Sequence, residues 1–475
     1  MITMKQNYLK DERLIKKTSK FKRLLTGISL FLLLGQNMAP LVQAEDQTGT
    51  REDVTTVPLE NEIAHTVQTD ENSHTVWLVT DIHFMSPSLT DNGKRFEIFQ
   101  KQAAGIDYAY GPDRMEALIE QVEREQPDAI IVAGDLTSNG EYQSMVDLAG
   151  YFARVETLGT QVFVIPGNHD IHNGWAVHFK GERAEKDRQT SPADFSEIFS
   201  EFGYNEALSR DSESLSYLAE ITPTFQLLML DTNVYSKTLG EGQPTSRGQV
   251  KTETLRWVRE LLSETATGVA VLPVLHHGAL SHFGGQFQKI TPDQASDFQN
   301  ILVDYQLPLT LTGHLHSQHI ATLWVDETAL HEVVTSSFSI YPGKMGAITL
   351  DEKGISYQQI ALEMDQWFEP DAYQTYLAHL KQLQTNSTHV KIFDTVYNDA
   401  DLKPHTQEIS DVFQQLNLSF FMGSIQEDWP TLEVDLASIE PYIEGSDYRF
   451  FNGYLDLLLS TKDYSQTELT IEWAR

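Results

Sequence analysis

Short apolar runs rich in Val, Ile, Leu and Phe recur at residues 76–80, 129–133, 162–165, 225–230, 269–275 and 309–311. Runs of this length and composition predict buried β-strands. Between them the spacing becomes that of a helix. Met115, Leu118, Ile119 and Val122 share one face at i, i+3, i+4 and i+7, behind an Asp113/Glu116 pair with capping-box spacing. Leu255, Val258 and Leu262 repeat the pattern. So do Phe298, Ile301, Leu302 and Tyr305, where Thr291 and Pro292 form the expected helix start. Strand–helix alternation of this kind predicts parallel βαβ units. Segments 320–325, 330–337 and 345–357 read instead as antiparallel strands, the last folded back over Asp351, Glu352, Lys353 and Gly354.

Two stretches lack either period. Residues 86–112 are rich in Ser, Asn, Asp and Gly and read as one long polar loop. Residues 171–220 read as a surface excursion. From about residue 364 the texture turns helical, with Tyr373, Tyr376, Leu377 and Leu380 on one face. Ile409, Val412, Phe413 and Leu416 follow, then Phe451, Tyr454, Leu455 and Leu458. These predict a small helical C-terminal domain over 363–475.

The N-terminus has a different character. Eight Lys and Arg residues between Lys5 and Arg23 precede an apolar run over 24–34, and Val42-Gln43-Ala44 offers a small-residue cleavage site. Residues 1–44 therefore predict a secretory signal peptide, and residues 45–74 a flexible, acidic lead-in. An uncleaved anchor at the cell surface is the alternative, although the run is short for a membrane span, and no other stretch is long and apolar enough for one.

Charge and cysteine usage narrow the chemistry. The chain carries 34 basic and 68 acidic residues, and loss of residues 1–44 would move the net charge from −34 to about −40. Such a field disfavours a nucleic-acid polymer as partner. A small phosphate ester binds only where cations locally reverse it. With no cysteine, disulfides, thiolate metal sites and a Cys nucleophile are excluded. No Gly-x-Ser-x-Gly elbow precedes a helix, which leaves histidine and carboxylate chemistry.

Each predicted strand delivers such residues at its C-terminal end: Asp81-Ile82-His83, Gly134-Asp135, Gly167-Asn168-His169-Asp170, His276-His277-Gly278 and Gly313-His314-Leu315-His316. In open α/β sheets that end is where ligands bind. Asp81, His83, Asp135, Asn168, His276, His314 and His316 are nitrogen and oxygen donors suited to Mn, Fe or Zn. Seven donors exceed what one ion with open positions needs. They suit two ions roughly 3.5–4 Å apart that share a carboxylate.

Five such motifs in this order, each behind a strand, resemble the calcineurin-like metallophosphoesterase family over residues 75–362. The resemblance implies an α/β four-layer sandwich of βαβ units with a dinuclear metal site at the strand ends, followed here by the helical C-terminal domain. It implies that Asp81, His83 and His316 hold one divalent ion and Asn168, His276 and His314 the other, with Asp135 bridging. His277 is the fallback for His276 and a candidate substrate contact, as is Asn139 for a phosphate oxygen. His169 would stand over the leaving-group oxygen, with Asp170 orienting its ring, while a metal-bridging hydroxide attacks phosphorus. His172, His282 and His319 read as solvated loop residues, and His331 as structural.

The loop opening at Ser86, the N-terminal signal and the helical tail further resemble exported bacterial class III cyclic-nucleotide phosphodiesterases within this family. That implies a small phosphodiester substrate, most simply a cyclic nucleotide, hydrolysed outside the cytoplasm. Tyr108 and Tyr110 are candidates for stacking on its base. A phosphomonoesterase or pyrophosphatase is the same-fold alternative. A secreted metal-binding module without turnover is the alternative of another class.

Overall fold

The computed structural model describes residues 73–473, except 284–289, 291, 326–327, 352, 397–399 and 444–448. The expected signal peptide, nearly all of the expected lead-in and the expected Thr291 cap lie outside the described residues. Within them, β1 (His74–Val79) runs parallel to β2 (Ala129–Ala133), and β2 to β3 (Gln161–Ile165). On its other side β1 pairs antiparallel with β13 (Lys344–Leu350), followed outward by β14 (Gly354–Ala361) and β15 (Glu468–Glu472).

A second sheet runs in the order β11 (His319–Val325), β12 (Thr328–Val334), β10 (Leu309–Thr312), β9 (Ala270–Leu275), β8 (Phe225–Leu230), β7 (Tyr217–Thr222) and β6 (Ser209–Arg210). Its four middle strands are parallel. A hairpin of β4 (Val177–Lys180) and β5 (Arg183–Lys186) stands apart from both sheets.

Side-chain alternation along the second sheet shows how the layers stack. Leu227, Met229, Leu272, Val274, Leu311 and Val333 join a core that takes in both faces of the first sheet, with Val76, Ile131 and Phe163 on one and Trp77, Ile130 and Val162 on the other. Their neighbours Leu228, Leu230, Val271 and Leu275 point the other way, into a core with Leu255, Val258 and Leu262 of α5 (Thr252–Glu264) and Phe298, Ile301 and Leu302 of α6 (Pro292–Asp304). Helices α2 (Gly111–Glu125) and α3 (Tyr142–Thr157) cross between β1, β2 and β3, and right-handed crossovers place both on the outer face of the first sheet. The order is helices, sheet, sheet, helices, the four-layer α/β sandwich expected. Each fully buried Leu or Phe of these cores contributes roughly 1.5–3 kcal/mol.

Several local expectations are corrected. Residues 86–112 are not one loop: they hold a turn at Pro87–Leu89 and a helix, α1 (Lys94–Lys101), with Leu89, Phe96, Ile106 and Tyr108 buried. Asp113 does not cap α2. That helix starts at Gly111, because Pro112 is preorganised for the first turn and needs no N–H partner there. Glu116 instead receives both guanidinium nitrogens of Arg154, each at 2.6 Å. Residues 171–220 are a surface excursion only in part, at the exposed β4–β5 hairpin. They contain α4 (Pro192–Ile198), capped by Ser191 and Asp194, and bury Phe195, Phe199, Phe202, Tyr204 and Tyr217 in the main core.

The C-terminal region consists of α7 (Met364–Trp367), α8 (Pro370–Val396), α9 (Thr406–Met422), α10 (Ile425–Ile443) and α11 (Arg449–Leu458). Tyr376, Leu380, Ile409, Phe413, Leu416 and Leu458 are its buried stripes. The chain then returns as β15, whose Leu469 and Ile471 complete the edge of the first sheet. Among the described residues no helix is long and apolar enough to cross a membrane.

Candidate metal centre

Parallel strands end on the same side, so β1, β2 and β3 present the loops at 81–83, 135 and 168–170 along one edge. Strands β9 and β10 present 276–277 and 314–316 along the facing edge. Five of these side chains sit on backbone with left-handed φ: Asp81 (53°), His83 (46°), Asp135 (47°), His314 (70°) and His316 (60°). Each such non-glycine residue costs about 1–3 kcal/mol, and clusters of them mark functional loops. The turn before Asp135 needs a glycine outright, because Gly134 has φ 88° and a methyl group there would meet the His276 ring at 2.4 Å.

The donors converge in two groups. Asp81, His83, Asp135 and His316 each offer an atom within 4.8 Å of the others, as do His276, His277 and His314. Nε2 of His83 and Nε2 of His316 face each other at 3.1 Å, and Asp81 Oδ1 lies 3.3 Å from the latter. Asp135 Oδ2 lies between the groups, 3.9 Å from His83 Nε2 and 3.4 Å from His276 Nε2. Asn168 Oδ1 lies 3.2 Å from that same His276 nitrogen. The seven residues singled out in the sequence therefore meet, and one carboxylate oxygen touches both groups.

Electrostatics describe a place that attracts positive charge. Burial alone would raise the carboxyl pKa values of Asp81 and Asp135. Facing imidazoles, His316 for the first and His276 with His169 for the second, hold both below the usual carboxylate range. Burial works against a charge on His276 too, yet Asp135 outweighs it and pushes that pKa up to about 9. His83 goes the other way: burial pulls it down to about 3, which leaves a neutral ring with a lone pair to give. His276 Nδ1 donates to the Ala133 carbonyl at 2.8 Å, which turns Nε2 inward. Converging imidazole nitrogens and carboxylate oxygens of this kind fit divalent transition ions.

Around the donors the roles differ from those expected. The carboxylate of Asp170 does not orient His169. It accepts from the backbone N–H groups of Gly167 (2.7 Å), Leu136 (3.0 Å) and Thr137 (3.0 Å) and from the Thr137 hydroxyl (3.0 Å), locking the Asp135 and Asn168 loops together. Burial, with Asp135 nearby, pushes its pKa up to about 7. The His169 ring is set by Ser138, whose carbonyl accepts from Nδ1 at 2.9 Å, and by Asn139 Oδ1 at 3.1 Å. Asn139 thus backs the His169 ring, and its Oδ1 also accepts from Asn173. His277 is fully buried inside the second group, with Nδ1 2.9 Å from Thr232 Oγ1.

Other expectations fail for plain packing reasons. Tyr108 stacks on Phe99 at 4.9 Å, and Tyr110 packs against Phe368 and Tyr376, so both rings are taken by protein. His282 and His319 are buried rather than solvated. His331 sits in β12 against Thr322, as a structural histidine would. Ser138, Asn173 and Thr232 were not singled out in the sequence. Nothing in their local spacing marks them, since each acts on a residue 4 to 45 positions away.

The calcineurin-like phosphoesterase family model matches residues 74–318, just over half of the chain, and the chain belongs to that family. A dimetal phosphatase from Danio rerio shares 13% identity, covering 61% of this chain and 96% of its own, with a TM-score of 0.41. Purple acid phosphatase PPD1 from yellow lupin (Lupinus luteus) seeds shares 13%, covering 62% and 52%, at 0.40. A putative 5'-nucleotidase from Staphylococcus aureus shares 12%, covering 66% and 58%, at 0.37. Among curated proteins none matches.

Proposed function

We propose that the chain is an exported phosphodiester hydrolase acting on a small substrate, most simply a cyclic nucleotide. The observation that carries the reading is the shared position of Asp135 Oδ2 between two donor groups, with His169 bonded through its backbone N–H to the other oxygen of the same carboxylate at 2.8 Å. Asp81, His83 and His316 would hold one cation, and Asn168, His276 and His314 the other, with His277 beside them and Asp135 common to both. Two bound divalent ions, Mn or Fe before Zn, would supply an activated water and neutralise the phosphoryl oxygens.

The protein's own groups do the rest. The Ser138 carbonyl can only accept, so Nδ1 of His169 keeps its proton and Nε2 is the nitrogen that works. As an imidazolium, His169 donates from Nε2 to the departing alkoxide and relaxes to the neutral tautomer that Ser138 already favours. The Ser138 carbonyl and Asn139 hold its Nδ1 from behind, with Asn173 fastening Asn139, and the His83 ring stands edge-on at 5.2 Å. His314, Asn168, His169 and His316 keep the residual exposure of the site and mark the face a substrate reaches.

The test is a panel of 2',3'- and 3',5'-cyclic nucleotides with bis-aryl and mono-aryl phosphates, with Mn²⁺ or with chelator. Diester turnover that chelation abolishes is expected. Preference for the mono-aryl ester would overturn diesterase in favour of phosphomonoesterase, and bound ions without any turnover would leave only the binding module. Export is tested by the N-terminus of the protein recovered from culture medium, expected at Glu45. His169→Ala should keep its ions and lose about 10²–10⁴-fold in kcat; a variant stripped of both ions would refute the assignment.

A further inference from the structure

Beneath the histidine loops of the second sheet lies a buried chain of groups with no part in the chemistry above. Glu332, in the middle of β12, is fully buried. Its carboxylate accepts four hydrogen bonds: from the backbone N–H of Ala279 (2.9 Å) and Leu280 (3.1 Å), from Thr310 Oγ1 (3.1 Å) and from His282 Nε2 (2.9 Å). Burying a carboxylate is costly unless its oxygens are bonded. Here three of the four bonds go to the stretch that directly follows His276, His277 and Gly278. A methyl group on Gly278 would lie 2.4 Å from Glu332 Oε1, so the backbone passes directly over the carboxylate.

The chain of groups continues. Nδ1 of His282 lies 2.7 Å from Nδ1 of His319, and the two buried rings stand edge-on at 67°. His319 opens β11, three residues after His316. An ionised carboxylate only accepts, so His282 keeps a proton at Nε2. Burial, with His282 beside it, holds the His319 pKa well below the ordinary value and leaves that ring neutral. Phe283 closes the pair on one side, its ring 4.1 Å from His319 and 4.7 Å from Phe420 of α9. A loop of 276–282 and a loop of 314–319 are thereby joined through one carboxylate that touches neither substrate nor donor atoms.

We propose that Glu332, through His282 and His319, is a positioning residue for the half of the site made by His276, His277 and His314. The other half depends on it less, because three of its four donors, Asp81, His83 and Asp135, stand on loops of the first sheet and are held there by other bonds, and His316 alone shares the loop of His319. Ser337 and Ser339 hydroxyls donate to the Asp81 carbonyl, and the backbone N–H groups of Asp81 and His83 bond to the carbonyls of Gly134 and Asp135. The inference rests on the two-cation reading. It adds that the two cations respond unequally to a change outside both donor sets.

The test is Mn²⁺ binding to the full chain without substrate, followed by electron paramagnetic resonance of free Mn²⁺. The wild type is expected to bind two ions. Glu332→Gln should leave the tighter ion unchanged and weaken the other about 10–100-fold, with kcat recovering as Mn²⁺ is raised. His282→Asn, which keeps the Ala279 and Leu280 bonds, should do the same more mildly and serves if Glu332→Gln does not fold. The double variant should be no worse than Glu332→Gln, as members of one unit are not additive. Equal weakening of both ions, or unchanged affinity for both in either variant, would overturn the proposal. A wild type that binds fewer than two ions would overturn the two-cation reading itself and this proposal with it, a result seen before any variant is compared.

Discussion

Replacing Asp135 by asparagine is expected to abolish nearly all turnover while leaving the fold intact. The reason lies in how its two oxygens are used. Oδ1 accepts the His169 backbone N–H at 2.8 Å, and an amide can keep that bond only by turning its own oxygen toward it. The NH₂ group must then take the place of Oδ2, facing His276 and His83 with two hydrogens where a shared acceptor stood. The loop bond survives, and the oxygen proposed to serve both cations does not. Losing the shared oxygen should remove several kcal/mol of charge stabilisation, on the order of 10³-fold or more in kcat/KM. Mn²⁺ stoichiometry should fall below two, while the melting temperature in chelator stays close to that of the wild type. Retention of both ions with full activity would show that Asp135 bridges nothing.

That an aspartate at 135 and histidines at 276 and 314 belong together was legible because of strand polarity. Parallel strands put their C-terminal ends on one side, so a polar residue placed directly after each buried run must converge with the others. The same logic fails for side chains that act across the fold. Asp170, next to His169 in sequence, reads as the orienting partner of its ring. The loop instead turns the carboxylate back toward three backbone N–H groups, and a carbonyl 31 residues away sets the imidazole. His282 and His319 read as solvated, because nothing local shows that Glu332 lies beneath them.

The misread segments have equally specific causes. Phe195, Phe199 and Phe202 repeat at i, i+4 and i+7, a helical spacing diluted by the polar residues around them. Strand β15 alternates exposed and buried positions over only five residues, too short a signal to place it beside β14, more than a hundred positions earlier. Long-range pairing of an edge strand is decided by the sheet that receives it, not by the strand alone.

The second large effect concerns stability, at the junction between the two sheets and the helical region. Asp107 is fully buried, and Arg114 gives it a hydrogen bond from Nη1 at 2.6 Å and another from Nη2 to its carbonyl at 2.6 Å. His379 of α8 lies 2.9 Å from the other carboxylate oxygen. The Asp107 N–H donates to the Ser339 carbonyl, and Ser339 in turn holds the Asp81 loop. Burial raises the Asp107 pKa, but Arg114 and His379 outweigh it and bring it down to about 2. Asp107→Ala would leave the Arg114 guanidinium buried without its counter-charge, which should cost about 3–5 kcal/mol. Because the folded-state pKa is depressed, the ionised pair stabilises the protein above about pH 4, the range of an unfolded aspartate. That contribution is lost as pH falls from about 4 toward 2. Acid unfolding followed by circular dichroism should therefore be steeper over that interval for the wild type than for Asp107→Asn, whose side chain does not titrate. Parallel acid curves for the two proteins would show that Asp107 ionises no differently in the folded and unfolded chain.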